Sequence, residues 1–328
     1  MTQFLTYANP VWSGYCADPF VLRHENMYYA YGTSSDVGDV TQGGRQFVLL
    51  RSPDLVQWEC LGGALESAPG FERAAHWAPE VAFSGGKFWM YYSAQEPSGE
   101  YRGLQRLRVA VADRPDGPFR DVGKTLFPTE GFTIDASPFR DPRDGQWYLY
   151  FATDYFDGRT GTGTAVVPLS DDMVTPLAPP CPVVIASADW HVSARNHRLY
   201  ERHWDAWHTV EGPHVVFRDG LYYCLYAGGN WQNETYGVSY AVAEHPLGPW
   251  RDEWSAHGPV VLKGVPGHII GPGHNSVTPA PDGRTLVCVY HAWDEGHTAR
   301  RLCIDPIEWT DDGPRVTPTW QDGRLPIG

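Results

Sequence analysis

The sequence is short of positive charge. It carries 25 Lys and Arg against 39 Asp and Glu, a formal net charge of −14. Binding a nucleic-acid backbone depends on Lys and Arg neutralising phosphates, so no nucleic-acid partner is expected. The acidic balance is read as solubility. The six cysteines, at 16, 60, 181, 224, 288 and 303, form no CxxC pair, which argues against a zinc ribbon or a thioredoxin-type centre. Cys16, Cys224, Cys288 and Cys303 fall in or beside strand-like runs and read as small buried hydrophobes. The opening MTQFLTYANP has neither the basic nor the apolar segment of a signal peptide. No run approaches the roughly 20 apolar residues of a membrane helix. A cytoplasmic protein with reduced thiols and no membrane partner is therefore expected. Helical periodicity is also nearly absent.

What the chain has in quantity is aromatic residues (14 Trp, 18 Tyr and 13 Phe), with 35 Gly and 28 Pro. This composition suits many short strands joined by turns. Four segments share one form: CADPFVLRHENMYYAYGTS from 16, WAPEVAFSGGKFWMYYSA from 77, IDASPFRDPRDGQWYLYFAT from 134 and VEGPHVVFRDGLYYCLYAGG from 210. In each, an acidic residue stands near a proline, followed by an apolar run, a turn and an aromatic strand, the pattern of a β-hairpin. A fifth copy, GHNSVTPAPDGRTLVCVYHAW from 273, carries Asn275 and Ser276 in place of the carboxylate. Prolines 19, 79, 138 and 213, with Ser276 in that slot of the fifth copy, give intervals of 60, 59, 75 and 63 residues. A second, weaker pair of strands follows each hairpin. Four strands in each of five units predict an all-β, five-bladed β-propeller spanning 1–328 as a single domain. The long third interval is assigned to a loop insert at about 180–208.

In a propeller the first strand of each blade lines a central channel. Asp18, Glu80, Asp135 and Glu211, read as equivalent positions in four blades, are expected to meet at one mouth of it. Carboxylates converging in a partly dry pocket split their pKa values, one held protonated and another ionised, as acid–base chemistry requires.

The motifs ADPF (17–20), WAPEV (77–81), IDASPF (134–139), EGPH (211–214) and GPGHNSV (271–277) resemble, in this order and across essentially the whole chain, glycoside hydrolase family 43. These are five-bladed propellers that cleave arabinosides and xylosides with inversion. The resemblance implies Asp18 as the general base that activates water, Glu211 as the general acid, and Asp135 as the carboxylate that orients the acid and raises its pKa. Inversion calls for about 6.5–9.5 Å between base and acid. Glu80 has no fixed proton-transfer role in the family and is read as structural or as a substrate contact. Trp77 is expected to stack on sugar. His214, Trp231 and Arg300 are further candidates for substrate contact, with Asn233, His291 and the neighbouring Arg301 beside them. His274 is implied to approach a calcium ion or a water cluster in the channel. No cofactor is expected to be required.

The expected activity is exo-acting release of a terminal pentose, foremost α-L-arabinofuranose, from small oligosaccharides. Alternatives are β-xylosidase, arabinanase or galactofuranosidase action, or a sugar-binding propeller without catalysis. A propeller of the WD type is argued against by the absence of its signature. The missing signal peptide and the short run after the fifth unit favour an intracellular arabinofuranosidase. The oligomeric state is not legible.

Overall fold

The computed structural model describes residues 3–34 and 44–328. Five antiparallel units follow one another along the chain, the first two joined at their outer edges by a short parallel pairing of Leu65 and Glu66 with Phe119 and Arg120. The first contains Ala17–His24, Met27–Thr33, Gln46–Ser52 and Glu59–Glu66. The second contains His76–Ser84, Lys87–Gln95, Gln105–Ala112 and Phe119–Thr125, and the third Thr133–Arg140, Trp147–Tyr155, Gly161–Leu169 and Cys181–Val184. The fourth has three strands, Val210–Arg218, Leu221–Gly228 and Gly237–Ala243. Its outer edge is reduced to two isolated bridges, Val238 with Leu262 and Val242 with Arg251. The fifth contains Ile270–Pro279, Leu286–Trp293, Arg300–Thr310 and Gly313–Val316. The first strands of the five sheets touch in cyclic order, the fifth meeting the first, so the sheets are the blades of one ring. The seam is held from outside: Phe4–Tyr7 pairs with Gly323–Pro326, and Val11 donates its N–H to the carbonyl of Leu302 in the fifth blade.

The aromatic second strands are continuous rather than alternating because both of their faces are buried between blades. Trp147, Leu149 and Phe151 pack toward the second blade, and Tyr148 and Tyr150 toward the fourth. Tyr31 faces the second blade while Tyr28 and Ala30 face the fifth. Five apolar clusters result, one at each blade interface. The turns are those the sequence predicts. Gly85–Gly86 and Asp219–Gly220 both adopt positive φ at their two central positions, the geometry of tight hairpins whose twist matches the strands.

The segment at 180–208 is not an irregular loop. Cys181–Val184 is the outer strand of the third blade, and a short 3-10 turn, Asp189–His191, leads into a hairpin of Val192–Leu199 and Arg202–His208. His208 pairs with Gly161 and runs directly into Val210 and Glu211. The hairpin therefore stands at the end of the ring where the inner strands begin.

Candidate active site

Each inner strand breaks register near its start: at Ala17/Phe20, Trp77/Glu80, Ile134/Ser137, Glu211/His214 and Gly273/Ser276. The residue after the first of each pair is left-handed: Asp18 (φ 48°), Ala78 (47°), Asp135 (58°), Gly212 (55°) and His274 (48°). Such a bulge sets two residues against one on the partner strand and re-aims side chains. Here it turns both the left-handed residue and the one before it toward the channel mouth.

This corrects the equivalence read from the sequence. Asp18 and Asp135 share the left-handed slot with His274, but Glu211 stands one place before that slot and Glu80 two places after it. Pro19, Pro79 and Pro213 are equivalent; the third blade has Ala136 there, not Pro138, and the fifth has Asn275, not Ser276. Asp18, Asp135 and Glu211 nevertheless meet on one cavity of about 250 Å³, with Trp77, Ile134, Trp231, His274 and Arg300. Glu80 and His214 occupy the next layer of the channel, beneath this cavity. There His214 Nδ1 lies 3.4 Å from Glu80 Oε1 and 3.4 Å from Ser137 Oγ. His214 is therefore not a wall of the cavity, because its slot lies two residues further along the strand.

The bulges leave backbone N–H groups outside the ladder, and buried N–H groups need acceptors. Asp18 N–H donates to His291 Nδ1 (3.0 Å), Ala78 N–H to Thr33 Oγ1 (2.9 Å), Asp135 N–H to Ser93 Oγ (3.3 Å) and Gly212 N–H to Asp135 Oδ2 (3.1 Å). Thr33, Ser93 and His291 are the strand partners of Ala17, Trp77 and Gly273. Each ties its own blade to the next.

Asp18 is surrounded by donors. Arg300 Nη1 lies 3.0 Å from Oδ1 and His274 Nδ1 3.4 Å, while the Thr33 hydroxyl donates to Oδ2 at 2.8 Å. Burial alone would raise its pKa, but Arg300 and then His274 outweigh it and hold Asp18 well below the usual carboxylate range. His291 also lies close to Oδ1, at 3.3 Å. Its Nδ1 accepts from the Asp18 N–H, so its proton sits on Nε2, and burial lowers its pKa to about 4, leaving the ring neutral.

Glu211 and Asp135 shift the other way. Burial raises Asp135 to about 7, with the charges of Glu211 and Asp18 adding to it against the pull of His274. Burial also raises Glu211, against His274 and a 2.7 Å hydrogen bond from the Tyr236 hydroxyl to Oε1. His274, with four carboxylates around it, is pushed up despite its burial. A protonated imidazole is a poor metal ligand. Among the described residues no three His, Cys, Asp or Glu side chains converge as a metal site, whereas calcium takes about six to eight oxygens. The donor set does not fit a protein-built calcium site.

Alternation in the strand turns Arg300 inward and Arg301 outward. Arg300 also reaches the Tyr15 hydroxyl (3.2 Å) and lies 4.5 Å over the Trp231 ring, whereas Arg301 pairs with Asp294 (2.9 Å). Trp231 is backed by Trp293, stacked at 5.9 Å. Asn233 is a turn residue whose Oδ1 accepts from the Thr235 N–H (2.9 Å), and it does not line the cavity. Sequence reasoning missed Thr33, Tyr236, Tyr15 and Ile134. Thr33 is legible by aligning the ends of the second strands, where Thr33, Ser93, Ala152, Ala227 and His291 share one slot. Tyr236 follows a turn-rich run outside the repeat, and nothing in the pattern marks it.

Comparison with known proteins agrees with this geometry. The family model for glycosyl hydrolases family 43 matches residues 7–314. A β-D-galactofuranosidase of Aspergillus niger is 29% identical over 327 residues, covering 93% of this chain and 83% of that protein. An extracellular exo-α-(1→5)-L-arabinofuranosidase of Streptomyces chartreusis is 29% identical over 298 residues, covering 84% of this chain and 79% of its own length. The crystal structure of a thermostable family-43 glycoside hydrolase superposes with a TM-score of 0.81 at 34% identity, covering 97% of this chain and 99% of that one. With its five blades and its three carboxylates on one cavity, the chain belongs to glycoside hydrolase family 43.

Proposed function

We propose that the protein is an inverting, exo-acting glycosidase that releases a terminal α-L-arabinofuranosyl unit from short oligosaccharides. The observation that carries this reading is the split in protonation around one small cavity, with Asp18 held ionised while Glu211 and Asp135 are pushed up. Asp18 is the general base and Glu211 the general acid. Water attacks the anomeric carbon and its proton passes to Asp18. The glycosidic C–O bond breaks, its electron pair leaves on the departing oxygen, and that oxygen takes the proton of Glu211. Exchange with solvent then restores both carboxyl groups.

Asp135 assists the acid in two ways. Its Oδ2 accepts from the Gly212 N–H and fixes the backbone next to the acid, and with its own pKa raised by burial and by the charge of Glu211 it does not compete as a second fixed anion beside it. Trp77 offers a ring to the sugar, while Trp231, with Trp293 stacked on it and Arg300 over its ring, forms a wall of the cavity. The cavity's size favours one ring, hence exo-action. The activity of the Streptomyces relative, an arabinofuranosidase, supports arabinofuranose. That of the Aspergillus relative supports a second reading, a β-D-galactofuranoside. A panel of p-nitrophenyl arabinofuranoside, galactofuranoside and xyloside tests the sugar: arabinofuranoside is expected to be cleaved fastest, and dominance by another would replace it. NMR of the first-formed anomer is expected to show inversion, and retention would reject the mechanism.

Tyr236→Phe tests the acid's environment. The Tyr236 bond favours the ionised form of Glu211, so its loss should raise the acid's pKa further. The alkaline limb of the pH–rate profile is expected to move to higher pH, and kcat to fall about ten- to a hundredfold. An unmoved limb would show that Glu211 does not set it.

A further inference from the structure

A second cavity is larger than the one holding the carboxylates. It measures about 570 Å³ and is walled by the third-blade insert (Trp190, Arg195), the loop before Gly237 (Glu234, Tyr236) and the lead-in to the fifth blade (Lys263, Ile270). Ligand sites commonly occupy about 300–1,000 Å³.

All three walls stand at the end of the ring where the inner strands begin. The insert returns through His208 into Glu211, and Ile270 opens the strand that carries His274. Tyr236 links the two: it lines the large cavity, and its hydroxyl donates to Glu211, which lines the smaller one. In an acid-catalysed cleavage the leaving group departs on the side of the acid.

The wall is also built rather than incidental. The Trp190 indole N–H donates to the Ser255 carbonyl at 2.6 Å, and the ring lies 4.2 Å from His191 and stacks at 6.3 Å on Tyr226. Any side chain at Gly228 would strike it, since a Cβ there would come within 2.8 Å of Trp190. A fixed, half-exposed indole offers an apolar face to a sugar ring. Exposed Arg195, Glu234 and Lys263 supply hydrogen-bonding groups for hydroxyls at the rim.

We propose that this cavity receives the leaving-group portion of the substrate, two or more further glycosyl units of the chain from which the terminal sugar is cut. The inference rests on the assignment of Glu211 as the acid. It makes the insert a specificity element that selects for oligosaccharides over glycosides with small leaving groups.

The test compares kcat/KM on α-(1→5)-arabino-oligosaccharides, from disaccharide to pentasaccharide, with kcat/KM on p-nitrophenyl arabinofuranoside. In the unaltered protein kcat/KM is expected to rise about tenfold between disaccharide and tetrasaccharide, as remote contacts contribute to transition-state binding. Trp190→Ala, and separately the exposed pair Arg195→Ala with Lys263→Ala, are expected to lower the ratio of tetrasaccharide to aryl-glycoside kcat/KM by about tenfold, the scale of one aromatic contact. The rim pair guards against misfolding of the tryptophan variant. A kcat/KM independent of chain length, or a ratio unchanged in both variants, would overturn the proposal. If the unaltered protein spares the arabinofuranoside but cleaves another aryl glycoside, the sugar assignment has failed instead, and the comparison is run on the matching oligosaccharides.

Discussion

Glu211→Gln is expected to lower kcat/KM on oligosaccharides by about 10²–10⁴-fold, the usual contribution of a positioned acid. The loss should depend steeply on the leaving group. A sugar alkoxide leaves poorly without a proton, whereas a nitrophenolate is stable without one. A series of aryl arabinofuranosides with phenols of falling acidity, assayed against both proteins, makes the comparison. A uniform loss across the series would remove Glu211 from the role of acid. The pH profile gives a second reading. A carboxyl whose folded pKa is raised keeps its proton to higher pH than usual and loses it as pH climbs through the raised value. The Glu211–Asp135 pair, raised first by burial, with Asp135 near 7, therefore sets the alkaline limb. In Glu211→Gln that limb should vanish. Asp135, relieved of a neighbouring negative charge, should also titrate lower.

Asp18→Asn should cost as much, about 10²–10⁴-fold, but evenly across leaving groups, because water activation does not depend on which oxygen departs. A loss confined to poor leaving groups would contradict the assignment. The acid side of the wild-type profile follows from the same residue. A carboxylate held well below its usual range by Arg300 and His274 stays ionised as pH falls, so activity should persist into acidic buffers. The amide removes the negative charge facing a buried guanidinium, and the melting temperature is expected to fall as well. Circular dichroism of the variant at the assay temperature separates that effect from catalysis.

The blades were legible because each hairpin repeats an apolar run, a turn and an aromatic strand. Burial on both faces forces that composition wherever sheets pack radially. The three carboxylates were legible as residues but not in phase. Aligning on proline placed Pro138 opposite Pro19, whereas the bulge places Ala136 there, and only backbone geometry distinguishes the two. His214 was placed at the cavity although its position, two residues past the left-handed Gly212, belongs to the layer beneath. The hairpin at Val192–Leu199 and Arg202–His208 was invisible as strands because it is largely half-exposed and presents no strictly alternating buried face. Thr33 was passed over because its role, one proton given to Asp18 and one accepted from Ala78, is a contact between blades.

Asp18 lies in the first blade, and the groups that hold it ionised lie in the fifth. Arg300 is 282 residues further along the chain, and the imidazole that takes the Asp18 N–H is 273 away. During synthesis the base is made near the beginning, and its guanidinium follows only when the last blade has been translated. Contacts so distant in sequence are the slow ones to form. The ring must shut, first blade against fifth, before the carboxylate acquires its low pKa. Without the fifth blade, Asp18 would lack both the guanidinium and the imidazole that hold it ionised. Hydrolysis thus belongs to the closed circle, and the onset of activity marks the moment at which the two ends of the chain have found each other.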